Sequence, residues 1–278
     1  MMKISLPAGP KGIENYLDFA RNHGFKWIDM SGSSPENFPE TFDPVRMKNL
    51  RAKLEDCGLG CGIHTASYVN TAEVFESIRK GVVQHFKEFI DVGRGIGARY
   101  LIIHCGVYFC QFRTRVMECL VRTLKETASY AERWGVSLLI ENMNRIPQTP
   151  AGKPWDLNLE QPEISYLGVT LEELAEVYSR VNSPMLGFSL NVAHAHLLAN
   201  GFPPFLKAFG DKLGNVQISD NHGITDEHLP VGEGTVDFSS LVRQLKKMDY
   251  QGTLSLSVAK DRVLECKDRF GIILESVA

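Results

Sequence analysis

Y-L-I-I-H, residues 100–104, and V-S-L-L-I-E, residues 136–141, flank one long amphipathic interval, and this stretch decides the fold. Each run is short and almost wholly apolar up to a polar last residue, His104 or Glu141. A half-exposed strand alternates apolar and polar positions, whereas a strand covered on both faces reads as a continuous apolar run. Between the two runs, residues from about Thr114 to Trp134 read as a helix. Strand, helix, strand in that order predicts a parallel pair with a crossover helix laid on it.

The same theme recurs along the whole chain. Ile4-Ser5-Leu6 precedes a helix over Ile13 to His23, with apolar Ile13, Leu17 and Ala20 and a stop at Gly24, which accepts the left-handed cap conformation. Trp27 to Met30 precedes a helix opened by Asp43-Pro44, an N-cap followed by proline, and stopped at Gly58. Cys61 to His64 leads through Tyr68 and Asn70 to a helix from about Ala72 to Val92. After Glu141 comes a long irregular stretch, Asn142 to Val169, of the kind that is usually functional or disordered. Thr170-Leu171-Glu172-Glu173 then opens a helix with a capping-box pattern. Runs at Leu186 to Val192, Val216 to Ser219 and Thr253 to Val258 follow, with helices over Ser239 to Met248 and Val263 to Ser276. Eight such units with no linker between them predict one domain, residues 1–278, folded as a closed (β/α)8 TIM barrel. An open doubly wound sheet is the fallback, but no Gly-rich dinucleotide turn is present.

Composition narrows the function classes. The 278 residues are 44% hydrophobic and 23% charged, with a formal net charge of −3. That balance gives no global attraction to nucleic acid or an anionic membrane, although it leaves room for a local basic groove. No apolar run approaches the ~18 residues of a membrane span, and Met1 to Pro10 lacks the apolar core of a signal peptide. The six cysteines show no C-x-x-C spacing and read as reduced thiols of a cytoplasmic protein. No Walker or triad-type motif is present.

In barrels of this kind the active site lies at the C-terminal ends of the strands. The sequence places Asp29, His64, His104 and Glu141 there, then Asn191 and His194, Gln217 and Asp220, Asp226 and His228, and finally Ser257. A lone histidine ending an apolar run is more often a hydrogen-bonded structural residue. Two histidines and a glutamate ending three successive strands can meet at one point, and His2Glu with an open position is a recognised catalytic zinc arrangement. Asp226 and His228, two residues apart beyond a strand, can aim at one point in the same way. The plain alternative is that they bond neighbouring backbone amides.

The motifs I-H-T-A-S-Y-V-N (63–70), L-I-I-H-C-G (101–106), L-L-I-E-N (138–142), L-N-V-A-H-A (190–195) and S-D-N-H-G-I-T-D-E-H-L-P-V-G-E-G (219–234) occur in an order that resembles the xylose isomerase-like TIM barrels. That superfamily contains sugar-phosphate isomerases and epimerases and the endonuclease IV-type AP endonucleases. The resemblance covers essentially the whole chain. It implies one metal on His64, His104 and Glu141 and another on His194, Asp226 and His228, with zinc or manganese as the divalent ion. It also implies a catalytic role for Glu141, one of two carboxylates that shuttle a proton in the epimerases. The remaining ligand positions are substituted: Asn191, Gln217 and Ser257 stand where the family has charged or imidazole donors.

The expectation is therefore a metal-dependent sugar or sugar-phosphate isomerase/epimerase-like enzyme with an altered site on strands six to eight. An endonuclease-like phosphoester hydrolase is the alternative, and a non-catalytic binding member of the superfamily is a third. A small sugar is the expected partner, and nucleic acid is disfavoured by the acidic balance. Arg145, Lys153 and Trp155 on the long irregular stretch are candidates to cover a substrate, Cys105 and Cys110 flank the site, and Asp237 is expected to cap the penultimate helix.

Overall fold

A computed structural model describes residues 2–109, 112–144 and 164–277. Eight parallel strands close a barrel: β1 (Lys3–Ala8), β2 (Trp27–Ser31), β3 (Gly60–His64), β4 (Tyr100–Ile103), β5 (Ser137–Glu141), β6 (Leu186–Asn191), β7 (Leu213–Ile218) and β8 (Thr253–Leu256). Each strand pairs with its neighbour in sequence, and β1 closes on β8 through Lys3 opposite Thr253 and Ser5 opposite Ser255. Around it lie α1 (Leu17–Asn22), α2 (Pro44–Asp56), α3 (Glu76–Ile96), α4 (Arg113–Glu132), α5 (Leu171–Val181), the short α6 (Val192–His196), α7 (Pro203–Phe209), α8 (Phe238–Lys247) and α9 (Val263–Ser276). The closed (β/α)8 barrel expected from the alternating runs is the observed fold. No helix among the described residues is long and apolar enough to cross a membrane.

Local chemistry sets the helix boundaries. Asp43 caps α2 by accepting from the Arg46 N–H at 2.7 Å, with Pro44 in the first helical position. Asp237 caps α8 through the Ser240 N–H at 2.8 Å, as expected. Thr170 caps α5, but Glu173 does not close a reciprocal box: its carboxylate takes the N–H groups of Gly168 and Val169, both at 3.1 Å, and so ties the preceding loop to the helix. The helix expected from Ala72 begins at Glu76, because the Asn70 side chain accepts from the Ala72 and Val107 N–H groups and holds the chain in a turn.

The stretch from Asn142 to Val169 is not wholly irregular. Ile164–Tyr166 pairs antiparallel with Val107–Phe109 and forms a small two-stranded sheet beside the barrel. Arg145, Lys153, Trp155 and Cys110 lie outside the described residues. Cys57, Cys61, Cys105, Cys119 and Cys266 are free thiols.

The main core lies between barrel and helices, and a second, smaller one fills the lower barrel. Trp27 and Tyr100 stack there with ring centroids 5.9 Å apart, beside Ile102 and Leu139. Two glycines on β3 make this possible. A Cβ on Gly60 would stand 2.0 Å from the Trp27 ring, and one on Gly62 would stand 2.3 Å from the Tyr100 ring.

Asp29 belongs to this interior and not to the mouth, which corrects its place among the strand-end candidates. It lies within β2, 5% exposed, and accepts from the hydroxyls of Ser5 at 2.6 Å, Tyr100 at 2.6 Å and Ser255. Burial pushes its carboxyl above the usual range against the opposing effect of these three hydroxyls. The network continues through Asn215 to Ser189 and Gln217, and forms a polar floor beneath the mouth.

Candidate metal centre at the barrel mouth

β3, β4 and β5 lie side by side, with His64 opposite Ile102 and Ile103 opposite Ile140, and the structure gathers His64, His104 and Glu141 at their C-terminal ends. Glu141 is 1% exposed. Its Oε2 lies 3.2 Å from Nε2 of His64 and 3.2 Å from Nε2 of His104, whose rings meet edge to face at 5.1 Å. Its Oε1 accepts from Asn191 Nδ2 at 2.9 Å. His194 Nδ1 stands 3.4 Å from the same oxygen.

His194, Asp226 and His228 form a second group beside the first. His194 stands on α6, whose N-cap is Asn191: the Asn191 Oδ1 accepts from the His194 N–H at 3.1 Å. Asp226 Oδ2 lies 3.1 Å from Nε2 of His194 and 3.1 Å from Nε2 of His228. In each group the candidate ligand atoms lie within 4.8 Å of one another.

The other ring nitrogens fix the tautomers. Nδ1 of His64 faces the Thr65 carbonyl at 3.0 Å, that of His194 the Asn142 carbonyl at 2.8 Å, and that of His228 the Ser257 carbonyl at 2.8 Å. A carbonyl only accepts, so these nitrogens carry the proton, an assignment that rests on the hydrogen-bond network. A neutral ring then turns the Nε2 lone pair toward a carboxylate oxygen. Two electron-rich atoms 3.1–3.2 Å apart repel unless a proton or a cation stands between them. Imidazoles anchored through Nδ1 to backbone carbonyls, with Nε2 converging on a carboxylate, are the usual outer support of a metal site. The fit extends to Asp226, whose Oδ1 is buried and has no hydrogen-bond partner among the described residues.

The imidazoles also set the charge state of the two carboxylates. Burial alone would raise the Glu141 carboxyl, but the charges and hydrogen bonds of His104 and His64 outweigh it and hold the group well below the usual carboxylate range. Asp226 behaves alike: burial opposes, and the hydrogen bonds of His194 and His228 win and depress it. Burial lowers His64, but the Glu141 hydrogen bond and charge more than reverse this, and the Asp226 hydrogen bond raises His228. Both carboxylates therefore stay anionic, and a positive charge beside them is favoured, whether a proton on His64 or His228 or a bound cation.

The substituted positions are engaged within the protein. Asn191 orients Glu141, Gln217 Nε2 donates to Ser189 Oγ at 3.3 Å, and Ser257 receives His228 on its carbonyl. Asp220 is a structural anchor and not a mouth ligand, since its carboxylate accepts four backbone N–H groups. Sequence reasoning passed over Asn142 and Asn144. Asn142 exchanges hydrogen bonds with the Asn191 backbone at 2.7 and 2.9 Å, and Asn144 Nδ2 reaches Asp226 Oδ2 at 3.4 Å. Asn142 ends the L-L-I-E-N motif without being read for a role, and Asn144 carries no signal beyond lying three residues after the strand-end glutamate.

The sequence profile of the xylose isomerase-like TIM barrels matches residues 17–277. The chain belongs to this family. It is 27% identical over 261 residues to an L-ribulose 3-epimerase of Methylomonas sp. (strain DH-1), covering 92% of this chain and 82% of that protein. It is 23% identical over 266 residues to a probable endonuclease 4 of Symbiobacterium thermophilum, covering 90% and 88%. Among solved structures, a D-tagatose 3-epimerase-like protein superposes with a TM-score of 0.84 at 22% identity, covering 99% of this chain and 98% of that one. The chain spans 61% and 63% of the length of two uncharacterized relatives from Methanocaldococcus jannaschii that it also matches.

Proposed function

We propose that this family member is a divalent-metal-dependent enzyme of the sugar isomerase/epimerase class, acting on a small polyhydroxylated sugar or sugar phosphate. The observation that supports it is the convergence of four imidazole Nε2 atoms on the carboxylates of Glu141 and Asp226 at one barrel mouth. Zinc or manganese suits these nitrogen and oxygen donors. A divalent ion held there would supply Lewis-acid polarisation of a substrate carbonyl or hydroxyl oxygen.

The chain's own residues narrow the reaction. Inverting a carbon by removing and returning a proton on opposite faces needs an acid/base group on each side of the sugar. By the family resemblance Ser257 takes the place of the second carboxylate, and Glu141 is the single carboxylate in the first group. Proton transfer on one face needs one such group, so the geometry favours aldose–ketose isomerisation over epimerisation. Asn191 and Asn142 hold Glu141 and the β6 end in place from the protein side. Buried free thiols at Cys61, Cys105, Cys119 and Cys266 accord with the reducing cytoplasm.

A second reading is favoured by one observation. His194, Asp226 and His228 are all present although Ser257 is not a carboxylate, as suits a phosphoester hydrolase that uses a metal-activated water. The experiment takes metal-free protein reloaded with zinc or manganese and offers it an aldose and ketose panel, free and phosphorylated, with abasic duplex DNA and a small phosphomonoester in parallel. Aldose–ketose interconversion supports the isomerase reading. Phosphate release or strand nicking without sugar turnover replaces it with the hydrolase, and turnover of nothing removes both.

A further inference from the structure

Asp226 and His228 stand on a loop, residues 221–228, whose two ends are pinned together. The Asp220 N–H donates to the Leu229 carbonyl at 2.7 Å and the Leu229 N–H to the Asp220 carbonyl at 2.9 Å. The Asp220 side chain goes further. It is fully buried, with Oδ1 accepting from the N–H groups of Asn221 at 2.9 Å and Val236 at 3.0 Å, and Oδ2 from Gly232 at 2.9 Å and Gly234 at 3.0 Å. One carboxylate thus ties the start of the loop to the segment 232–236 that follows it.

That segment is clamped from outside by Arg262, the N-cap residue of α9, and by Arg269 within α9. Glu233 pairs with Arg262 at 2.5 Å and with Arg269 at 3.3 Å, and Arg269 donates to the Val231 carbonyl at 3.2 Å. The packing leaves no slack: a Cβ on Gly234 would stand 2.3 Å from the Asn221 carbonyl oxygen and 2.5 Å from Asp220 Oδ1. His228 needs such a frame, because it holds a left-handed backbone at φ 53°, which a non-glycine residue keeps only when its surroundings enforce it. The enforcement comes from the Asp220–Leu229 bridge next to it in sequence and from the Ser257 carbonyl that receives its ring.

We infer that Asp220, with the Glu233–Arg262–Arg269 clamp behind it, is the positioning residue for the second group alone. It sets Asp226 and His228 against His194, while His64, His104 and Glu141 are held independently by their strands. The metal arm of the test rests on the reading of the mouth as a metal centre; the position of the His228 ring does not.

The test uses the whole chain and two variants. Asp220→Asn keeps the shape but turns an amide NH2 toward two backbone N–H groups, so two acceptor contacts become donor–donor clashes. Glu233→Ala removes the outer clamp without touching any buried group, and it serves if Asp220→Asn does not fold. In metal-free protein, proton NMR reads the ring N–H resonances that His64, His194 and His228 give to backbone carbonyls. The expected result is loss or broadening of the His228 resonance in both variants, with that of His64 kept. Cobalt titration then reads the two groups separately, and one ion per chain is expected to bind at least tenfold more weakly than in the wild type with the other unchanged. An unshifted His228 resonance in a folded Asp220→Asn or Glu233→Ala chain overturns the inference. A wild type that binds no cobalt while His228 still shifts overturns the metal reading and leaves the positioning role supported. Equal weakening of both ions also overturns the inference, since a general loss of order would then be the cause.

Discussion

Glu141 is the residue around which the first group is built. One oxygen meets His64 and His104, and the other meets Asn191 with His194 close by. Replacing it with glutamine keeps the volume and removes the charge that draws a cation to the first group. Glu141→Gln is expected to weaken one ion by at least about tenfold, with the second retained, as read by metal content after dialysis. Asp29 gives a different outcome, in stability. Burial raises its folded-state carboxyl, so its contribution is full below the unfolded value near 4 and is lost as pH rises through the folded one. The urea midpoint of Asp29→Asn is therefore expected to gain on that of the wild type as pH rises from 4 to 8. A gap that narrows over that range contradicts the assignment. Asp29 and Asp220 show where reading single residues from sequence stops. Asp29 sits inside an apolar run and Asp220 follows one, and only the fold shows that one points down among hydroxyls and the other into backbone amides. The histidines were legible because their type and their place at strand ends agreed.

At the scale of elements, β3 carries an unusual share of the design. Its inward glycines admit Trp27, Tyr100 and Asp29 below, and the same face presents His64 above. Gly62→Ala would drive a methyl against the Tyr100 ring and Asp29, and is expected to cost about 1–3 kcal/mol, measured as a lower urea midpoint. The α5 cap is a milder case: Thr170→Ala removes the acceptor for the Glu173 N–H and is expected to cost about 1 kcal/mol. The principal strands and helices were legible from apolar runs and capping residues. The pairing of Val107–Phe109 with Ile164–Tyr166 was not, because two three-residue strands more than fifty positions apart leave no periodic trace. The start of α3 was missed because an asparagine side chain, and not a helix breaker, delays it.

At the scale of the molecule, closure of the barrel turns eight separate strand ends into one mouth, and this is what makes distant residues a site. Closure was readable from the even repetition of strand and helix. What collects at the mouth was readable only in part, since the roles of Asn142, Asn144 and Asn191 depend on contacts between β5, β6 and the loop after β7. The mouth carries two imidazole–carboxylate groups, and the proposed function requires a divalent cation in each. Metal content after equilibrium dialysis of metal-free protein against zinc or manganese tests this most directly. The expected result is two ions per chain, falling to one in Glu141→Gln; a folded wild-type chain that takes up no ion contradicts the proposed function.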